Sequence, residues 1–175
     1  MKKVVKFGGS SLANAEQFQK VGDIIRSEES RRYVVPSAPG KRFSADTKVT
    51  DLLYACYDKA EAGEDFTDVL TEIKGRFYEI IKGLNLDLSL EEEFRQIEAD
   101  FKAHAGNEYA ASRGEFLNGK VMAAYLGYEF IDSATVIRFD KNGNFDADKT
   151  DKLLSKRLQK CERAVIPGFY GGMED

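Results

Sequence analysis

The stretch VVKFGGSSLANAEQF, residues 4–18, decides the fold class. The apolar run Val4–Phe7 predicts a short buried strand, and helical spacing predicts a helix over Ala15–Ser27 with Ile24 on its buried face. Lys6 places a charge at the end of that strand, and Gly-Gly-Ser-Ser follows it. This order can build an anion site, but it also suits an ordinary turn in which Lys6 only extends its ammonium group into water.

Strands and helices alternate along the rest of the chain. Further strands are predicted at Arg32–Val35, within 127–140 and at Arg163–Ile166, and further helices at 50–60, Thr67–Lys82, Ser89–His104, 109–126 and 146–159. This alternation predicts an α/β protein, a three-layer α/β/α sandwich with a mainly parallel sheet covered by helices.

Three of the predicted strands end in loops of small residues, KFGGSS, VVPSAPG and VIPGFYGG. Parallel sheets bind ligands beyond the carboxyl ends of their strands. If the three strands are neighbours, their loops open on one edge and form one site.

The residues of these loops suit phosphate chemistry. Glycine lets backbone N–H groups approach a phosphate, Ser10 and Ser11 can donate further hydrogen bonds or cap a helix, and Lys6 can stabilise a transferring phosphoryl group. The spacing fits neither a Walker A loop nor a GxGxxG fingerprint. From the residues alone, phosphate binding and an inert turn remain equally open.

Two other residues have both a structural and a functional interpretation. Glu115, in SRGEFLNGK, is either a surface or ion-paired carboxylate or a group that holds an ammonium ion. Thr50 is predicted as a helix N-cap, and it contacts substrate only if its loop faces the shared edge.

Composition excludes several classes of protein. The chain has 175 residues with 26 basic and 30 acidic side chains and no basic stripe, which argues against nucleic acid or a membrane surface as partner. No apolar run approaches the roughly 20 residues of a membrane span, and no signal peptide is evident, so a cytoplasmic protein is expected. Cys56 and Cys161 are expected as small buried thiols, and His104 as a structural cation near a helix end.

The motifs VVKFGGSSLAN, VVPSAPG, TKVTDLL, SRGEFLNGKVMAAYL and VIPGFYG occur in the order seen in aspartate kinases, and the chain resembles that family over its whole length. The resemblance implies the amino acid kinase fold and ATP-dependent phosphorylation of the side-chain carboxylate of L-aspartate to 4-phospho-L-aspartate. This is the first step towards lysine, threonine, methionine and diaminopimelate. It also implies ATP and Mg²⁺ as cofactors and a homo-oligomeric parent enzyme.

Carried over position by position, the resemblance implies roles for particular residues. Lys6 corresponds to the lysine that stabilises the transferring phosphoryl group, and Glu115 to the residue that holds the α-ammonium group of aspartate. The residues implied in binding ATP phosphates are Lys6, Phe7, Gly8, Gly9 and Ser10, and those implied in binding aspartate are Ser37, Thr50 and Glu115. No protein ligand to a metal is implied.

Members of the family continue past GFYG into an Arg-Gly-Gly-Ser-Asp segment, an adenine-binding half and ACT regulatory domains. Residues 1–175 are therefore expected to form a single domain, the N-terminal, aspartate-binding lobe. Alone, this lobe is expected to have little turnover and to self-associate through an exposed apolar face. The long loop GKRFSADTK leaves the position of Thr50 open. The alternatives are a kinase of the same superfamily acting on glutamate, acetylglutamate or a nucleotide, and a non-catalytic module that binds anions or metabolites.

Overall fold

The structure is a computed structural model and describes residues 1–173. Its strands are β1 Lys3–Phe7, β2 Arg31–Pro36, β3 Glu129–Phe130, β4 Arg138–Phe139, β5 Ala164–Val165 and β6 Gly172–Met173. The main sheet has the order β1-β2-β5-β3 and every pairing in it is parallel, while β4 and β6 form a separate parallel pair. The prediction of an α/β fold with a mainly parallel sheet is confirmed.

The helices lie on both faces of the main sheet. They are α1 Ala15–Arg26, α2 Val49–Glu61, α3 Thr67–Gly83, α4 Glu91–Lys102, α5 Asn107–Leu126, α6 Ser133–Val136 and α7 Ala147–Leu158, with a 3₁₀ turn at Gly9–Leu12. The larger core joins α1 to α5 with one sheet face, and Leu154 and Leu158 of α7 pack with Tyr33 and Ile166 on the other face.

Strand β1 is not a buried strand, contrary to the prediction from its apolar residues. Strand β1 lies at the edge of the sheet, where Val5 and Phe7 pack against the larger core while Val4 and Lys6 are exposed. Successive side chains of a strand point to opposite faces, so a charge at Lys6 does not enter the larger core. Lys6 can therefore stand between two apolar residues because its side chain lies on the opposite face of the sheet from Val5 and Phe7.

Several predicted boundaries change in the structure. Helix α2 begins at Val49, whose N–H donates to the Pro39 carbonyl oxygen at 3.2 Å, so Lys48 is the N-cap and Thr50 is the second helical residue. The segment 127–140 contains the short helix α6 between two short strands. Ile24 is 48% exposed, contrary to its predicted place on the buried face of α1.

The cysteines and the histidine differ in part from expectation. Both thiols are free, but only Cys56 is buried, since Cys161 is partly accessible. His104 lies just beyond α4 in a left-handed conformation (φ 59°) and its Nδ1 atom lies 2.6 Å from Glu61 Oε1. The contact of His104 is thus with Glu61, and the structural role of the histidine stays a prediction.

Candidate active site

The three loops of small residues open on one edge of the sheet, as predicted. They follow β1, β2 and β5, which are consecutive neighbours in the parallel sheet. Two backbone hydrogen bonds join them, from Gly40 N–H to the Gly9 carbonyl oxygen at 2.8 Å and from Gly168 N–H to the Pro36 carbonyl oxygen at 3.1 Å. The shared edge is therefore a connected surface of backbone groups.

The first two loops touch so closely that only glycine fits at their contact. A Cβ atom added to Gly9 would lie 2.8 Å from the Ala38 carbonyl oxygen, and one added to Gly40 would lie 2.7 Å from the Gly9 carbonyl carbon. Gly8, in contrast, has nothing within 4 Å of an added Cβ and faces open space. The turn after β1 is thus fixed at Gly9 and open at Gly8, where a ligand's phosphate has room to approach the backbone.

The serine hydroxyls of the first loop are not used to cap the helix that follows. Asn14 is the N-cap of α1, and its side-chain oxygen accepts from Gln17 N–H at 3.0 Å. Within residues 1–173 neither Ser10 nor Ser11 makes a side-chain hydrogen bond, so both hydroxyls are available to a ligand. The capping alternative for these serines does not apply to α1.

Helix α5 supports the loops because it carries small residues where they cross it. A Cβ atom on Gly114 would lie 2.8 Å from Ala38 Cβ, and one on Gly119 would lie 2.6 Å from Pro167 Cγ. Asn118, fully buried, donates from Nδ2 to the Ser37 carbonyl oxygen at 2.7 Å. The loops after β2 and β5 are thereby held on the helix that carries Glu115.

Glu115 is buried, and no other charged side chain pairs with it. It is 7% exposed, and among residues 1–173 no basic group forms an ion pair with it. Loss of hydration raises the pKa of the Glu115 carboxyl above its usual value, and backbone hydrogen bonds at Glu115 and Ala38, with the nearby charge of Arg113, oppose the rise in part. The interpretation of Glu115 as a surface or ion-paired glutamate is wrong, and an unpaired buried carboxylate is a group that a cationic ligand would stabilise.

Lys6 lies at the same edge but on the other face of the sheet. It pairs in register with Val35 of β2, and its Nζ atom lies 4.2 Å from the centre of the Phe169 ring. Phe169 belongs to the loop after β5, is 74% exposed and has a left-handed backbone conformation (φ 68°). In the described part of the chain, no acidic side chain pairs with Lys6, and no hydrogen bond or ion pair joins it to Glu115.

The two predicted hydroxyl contacts, Ser37 and Thr50, also lie near the edge. Ser37 is buried directly after β2, and its N–H donates to the Phe7 carbonyl oxygen at 3.1 Å. Thr50 is half-buried in the first turn of α2, next to the residue that is bonded to Pro39. Neither hydroxyl has a hydrogen-bond partner among residues 1–173, which leaves both free for substrate.

An aromatic cluster that was not predicted from the sequence lies next to this edge. The Arg113 guanidinium stacks on Tyr109, Phe116 and Tyr170, with its central carbon 4.6, 4.3 and 5.5 Å from the three ring centres. The Tyr170 hydroxyl donates to Asp132 Oδ1 at 2.9 Å, and burial raises the pKa of that phenol. Tyr109, Arg113 and Phe116 lie at helical spacing on α5, whereas Tyr170 comes from the loop after β5, and no local pattern could have revealed that contact.

Acidic side chains at the edge do not form a metal site by themselves. Throughout the described residues, 1–173, no group of three or more His, Cys, Asp or Glu side chains is placed to hold an ion. No helix in that part of the chain is both long and apolar enough to cross a membrane.

Comparison with known proteins agrees with this architecture. The amino acid kinase family matches residues 1–175. Aspartokinase 3 of Bacillus subtilis is 35% identical over 188 residues, which cover 99% of this chain and 41% of that protein. The crystal structure of the aspartate kinase of Clostridium acetobutylicum has a TM-score of 0.95 and 48% identity, and the match covers 99% of this chain and 40% of that one.

A more distant structure has the same fold. Aspartokinase III of E. coli, solved in complex with aspartate and ADP, has a TM-score of 0.80 at 24% identity, over 99% of this chain and 42% of that one. The chain thus spans about two fifths of the length of these relatives. Because the family match extends over all 175 residues, the chain belongs to the amino acid kinase family.

Proposed function

We propose that the protein containing this chain is an aspartate kinase, which transfers the γ-phosphoryl group of ATP to the side-chain carboxylate of L-aspartate. The observation that carries the proposal is the buried, unpaired carboxylate of Glu115 beneath the loop after β2, at the same edge as the open glycine turn. One group suits an ammonium ion and the other suits a phosphate. An amino acid and a nucleotide are substrates that together need both.

On the acceptor side, Glu115 would pair with the α-ammonium group of aspartate. That contact would provide the positive partner that the carboxylate lacks within the described residues, and it would lower its raised pKa on binding. Ser37 and Thr50 have free hydroxyls that can donate to a substrate carboxylate. Aspartate is favoured over a general dicarboxylate because Glu115 repels a second negative group and attracts a cation.

On the donor side, the first loop would hold the phosphates. Gly8, Gly9 and Ser10 would supply backbone N–H groups, and Ser10 also a free hydroxyl, where an added Cβ at Gly8 meets nothing; Phe7, still paired with Pro36 in the sheet, would hold the start of this loop in place. Lys6 would stabilise charge on the phosphoryl group as it moves. Its contact with the exposed Phe169 ring would be exchanged for the phosphate, which attracts an ammonium ion more strongly.

The proposed reaction is a direct displacement. A side-chain oxygen of aspartate attacks the γ-phosphorus, the new P–O bond forms, and the bond between that phosphorus and the bridging oxygen to the β-phosphate breaks. The products are 4-phospho-L-aspartate and ADP, and no redox partner is required. Mg²⁺ would arrive with the nucleotide phosphates, since no cluster of acidic side chains in residues 1–173 is placed to hold it. A cytoplasmic enzyme of lysine, threonine and methionine biosynthesis is part of the same proposal.

The test is an assay of substrate choice with the complete protein that contains this chain. ATP is offered with L-aspartate, L-glutamate or N-acetyl-L-glutamate, and the acyl phosphate is trapped with hydroxylamine. Hydroxamate formed with aspartate alone supports the proposal. Hydroxamate formed with glutamate or acetylglutamate instead would assign the related kinase activity, and no product with any of them would favour a binding module without catalysis.

We also propose that residues 1–175 alone have little or no turnover, because the relatives that they match are more than twice as long. A coupled assay of ADP release compares this chain with the complete protein. Similar turnover numbers for the two would contradict this part of the proposal.

A further inference from the structure

The second part of the connection between β2 and α2, the loop of residues 41–48, is closed by one buried arginine from α3. The Arg76 side chain is 2% exposed. Its Nη2 atom donates to the Gly40 carbonyl oxygen at 2.7 Å, and its Nη1 atom donates to the Thr47 carbonyl oxygen at 2.8 Å. One guanidinium group therefore holds both ends of the loop together.

Inside the loop, a carboxylate lies between two guanidinium groups. Asp46 accepts from the Arg42 backbone N–H at 2.9 Å and from Arg42 Nε at 2.8 Å and Nη2 at 3.0 Å, and Arg76 Nη1 lies 3.4 Å from Asp46 Oδ2. Arg42 also donates to Glu79 of α3 at 2.9 Å. The hydrogen bonds from Arg42 hold the pKa of the Asp46 carboxyl well below its usual range. The loop is thus internally cross-linked and fastened to α3.

Both ends of the loop lead directly to the proposed site. Gly40 N–H donates to the Gly9 carbonyl oxygen at 2.8 Å, so the residue whose carbonyl group is held by Arg76 also contacts the loop after β1. Thr47 precedes the first turn of α2, where Val49 is bonded to Pro39 and Thr50 presents its free hydroxyl. The loop GKRFSADTK, which made the position of Thr50 hard to predict from the sequence, is therefore held in place by Arg76 of α3.

Packing alone does not account for this arginine. Its Nε atom is buried without a hydrogen-bond partner in residues 1–173, and its distance of 3.4 Å from Asp46 compensates the buried charge only in part. Loss of hydration and the nearby charge of Arg42 lower the pKa of the guanidinium, in keeping with its burial. When both partners of a buried ion pair are replaced by well-packed apolar side chains, stability is often unchanged, so a buried guanidinium is not required for packing.

We propose that Arg76 is a positioning residue for the acceptor substrate: by holding the Gly40 and Thr47 carbonyl groups, it sets Thr50 and the Gly9–Gly40 contact in the binding-competent arrangement. This inference rests on the proposed function for the identity of the substrate. The position of the loop itself does not depend on that identity.

The experiment compares Arg76→Met and Arg76→Lys with Arg95→Met in the 175-residue chain. Arg95 is the matched control because, among residues 1–173, its exposed side chain pairs only with Glu92 on its own helix. L-Aspartate binding is measured by calorimetry, hydrogen exchange is measured at the Gly40 and Val49 amides, and urea unfolding reports stability. Lysine keeps the charge but cannot donate to two carbonyl groups in the arginine's fork geometry, so it tests the geometry separately.

Arg76→Met is expected to raise the dissociation constant for aspartate about tenfold. This is the effect expected if the loop has its binding-competent conformation in only about a tenth of the molecules. Exchange at the Gly40 and Val49 amides is expected to accelerate by a similar factor. Arg76→Lys should show intermediate changes in the dissociation constant and in amide exchange, and Arg95→Met should match wild type in both measurements. If Arg76→Met does not fold, Arg76→Lys decides the matter by the same two measurements.

Wild-type aspartate affinity and wild-type exchange in the folded Arg76 variants would overturn the proposal. If the wild-type chain binds no aspartate, the proposed substrate is refuted for this chain, and amide exchange still decides whether Arg76 positions the loop. Faster exchange confined to residues 40–50 supports the positioning role, and exchange unchanged from wild type overturns it.

Discussion

Two adjacent substitutions, Gly9→Ala and Gly8→Ala, test separately how the loop after β1 packs and whether it binds phosphate. At Gly9 the new Cβ would lie 2.8 Å from the Ala38 carbonyl oxygen and 3.1 Å from the Gly40 nitrogen, where ordinary contact begins at 3.4 Å. Both neighbours are backbone atoms, and the 2.8 Å hydrogen bond from Gly40 to Gly9 lies at the same contact. The free energy of unfolding is therefore expected to fall by about 1–3 kcal/mol.

At Gly8 the same methyl group meets nothing within 4 Å, and the backbone angles (φ −79°, ψ 168°) are open to alanine. Gly8→Ala is therefore expected to be as stable as wild type or up to about 1 kcal/mol more stable, because alanine restricts the unfolded chain. If the loop holds phosphates, the new methyl group occupies their space. Affinity for tripolyphosphate is then expected to fall at least about tenfold.

Urea unfolding followed by circular dichroism measures stability, and calorimetry with tripolyphosphate measures binding. The two variants differ by one position and carry the same chemical change, so each is the control for the other. A Gly9→Ala chain as stable as wild type would refute the close approach of the two loops. A Gly8→Ala chain that keeps wild-type tripolyphosphate affinity would refute the phosphate cradle.

Three further predictions concern charge, pH and association. Lys6→Met is expected to weaken tripolyphosphate binding at least about fivefold and to leave aspartate binding unchanged. Its free energy of unfolding should change by no more than about 1 kcal/mol, the scale of an exposed cation–π contact such as that with Phe169. Lys2→Met is the control, and equal tripolyphosphate affinities in the two variants would argue against the role of Lys6. The pKa of Glu115 is higher in the folded chain than in the unfolded chain, so the folded chain binds a proton at this residue more tightly. The contribution of Glu115 to the free energy of unfolding therefore falls as pH rises from about 4.5 through its folded pKa. Urea midpoints from about pH 5 to pH 8 should fall less in Glu115→Gln than in wild type, and parallel curves would contradict the burial of a free carboxyl. Val4 is 67% exposed and lies beside an apolar groove of about 440 Å³. This exposed apolar surface predicts that the chain self-associates in size-exclusion chromatography as concentration rises, and Val4→Glu should reduce the association. A monomer at every concentration would contradict this prediction.

Much of the site could be predicted from the sequence because its parts are local. Lys6 and the glycines belong to one strand–turn–helix unit, and the hydrophobic periodicity that defines this unit spans few residues. The common edge of the three loops was also predictable, since consecutive parallel strands of an α/β sheet open on one side. These features need no knowledge of which distant residues touch.

The environment of each side chain could not be predicted, because contacts between distant parts of the chain determine it. Glu115 is buried by the loop around Ala38, and its local sequence reads equally well as an exposed helix face. Thr50 follows local capping rules, but the Val49–Pro39 hydrogen bond starts the helix earlier. Strand β1 reads as buried because three of the four residues Val4–Phe7 are apolar, and only the order of the sheet shows that it lies at an edge.

Binding of L-aspartate compared with succinate tests the central claim most directly. Succinate keeps both carboxylates and lacks only the ammonium group, so calorimetry of the two ligands isolates the proposed contact with Glu115. We predict that wild-type chain binds L-aspartate at least about tenfold more tightly than succinate, which is about 1.4 kcal/mol, and that Glu115→Gln abolishes this difference. Equal affinities of the wild-type chain for the two ligands, or a preference that survives in Glu115→Gln, would contradict the account.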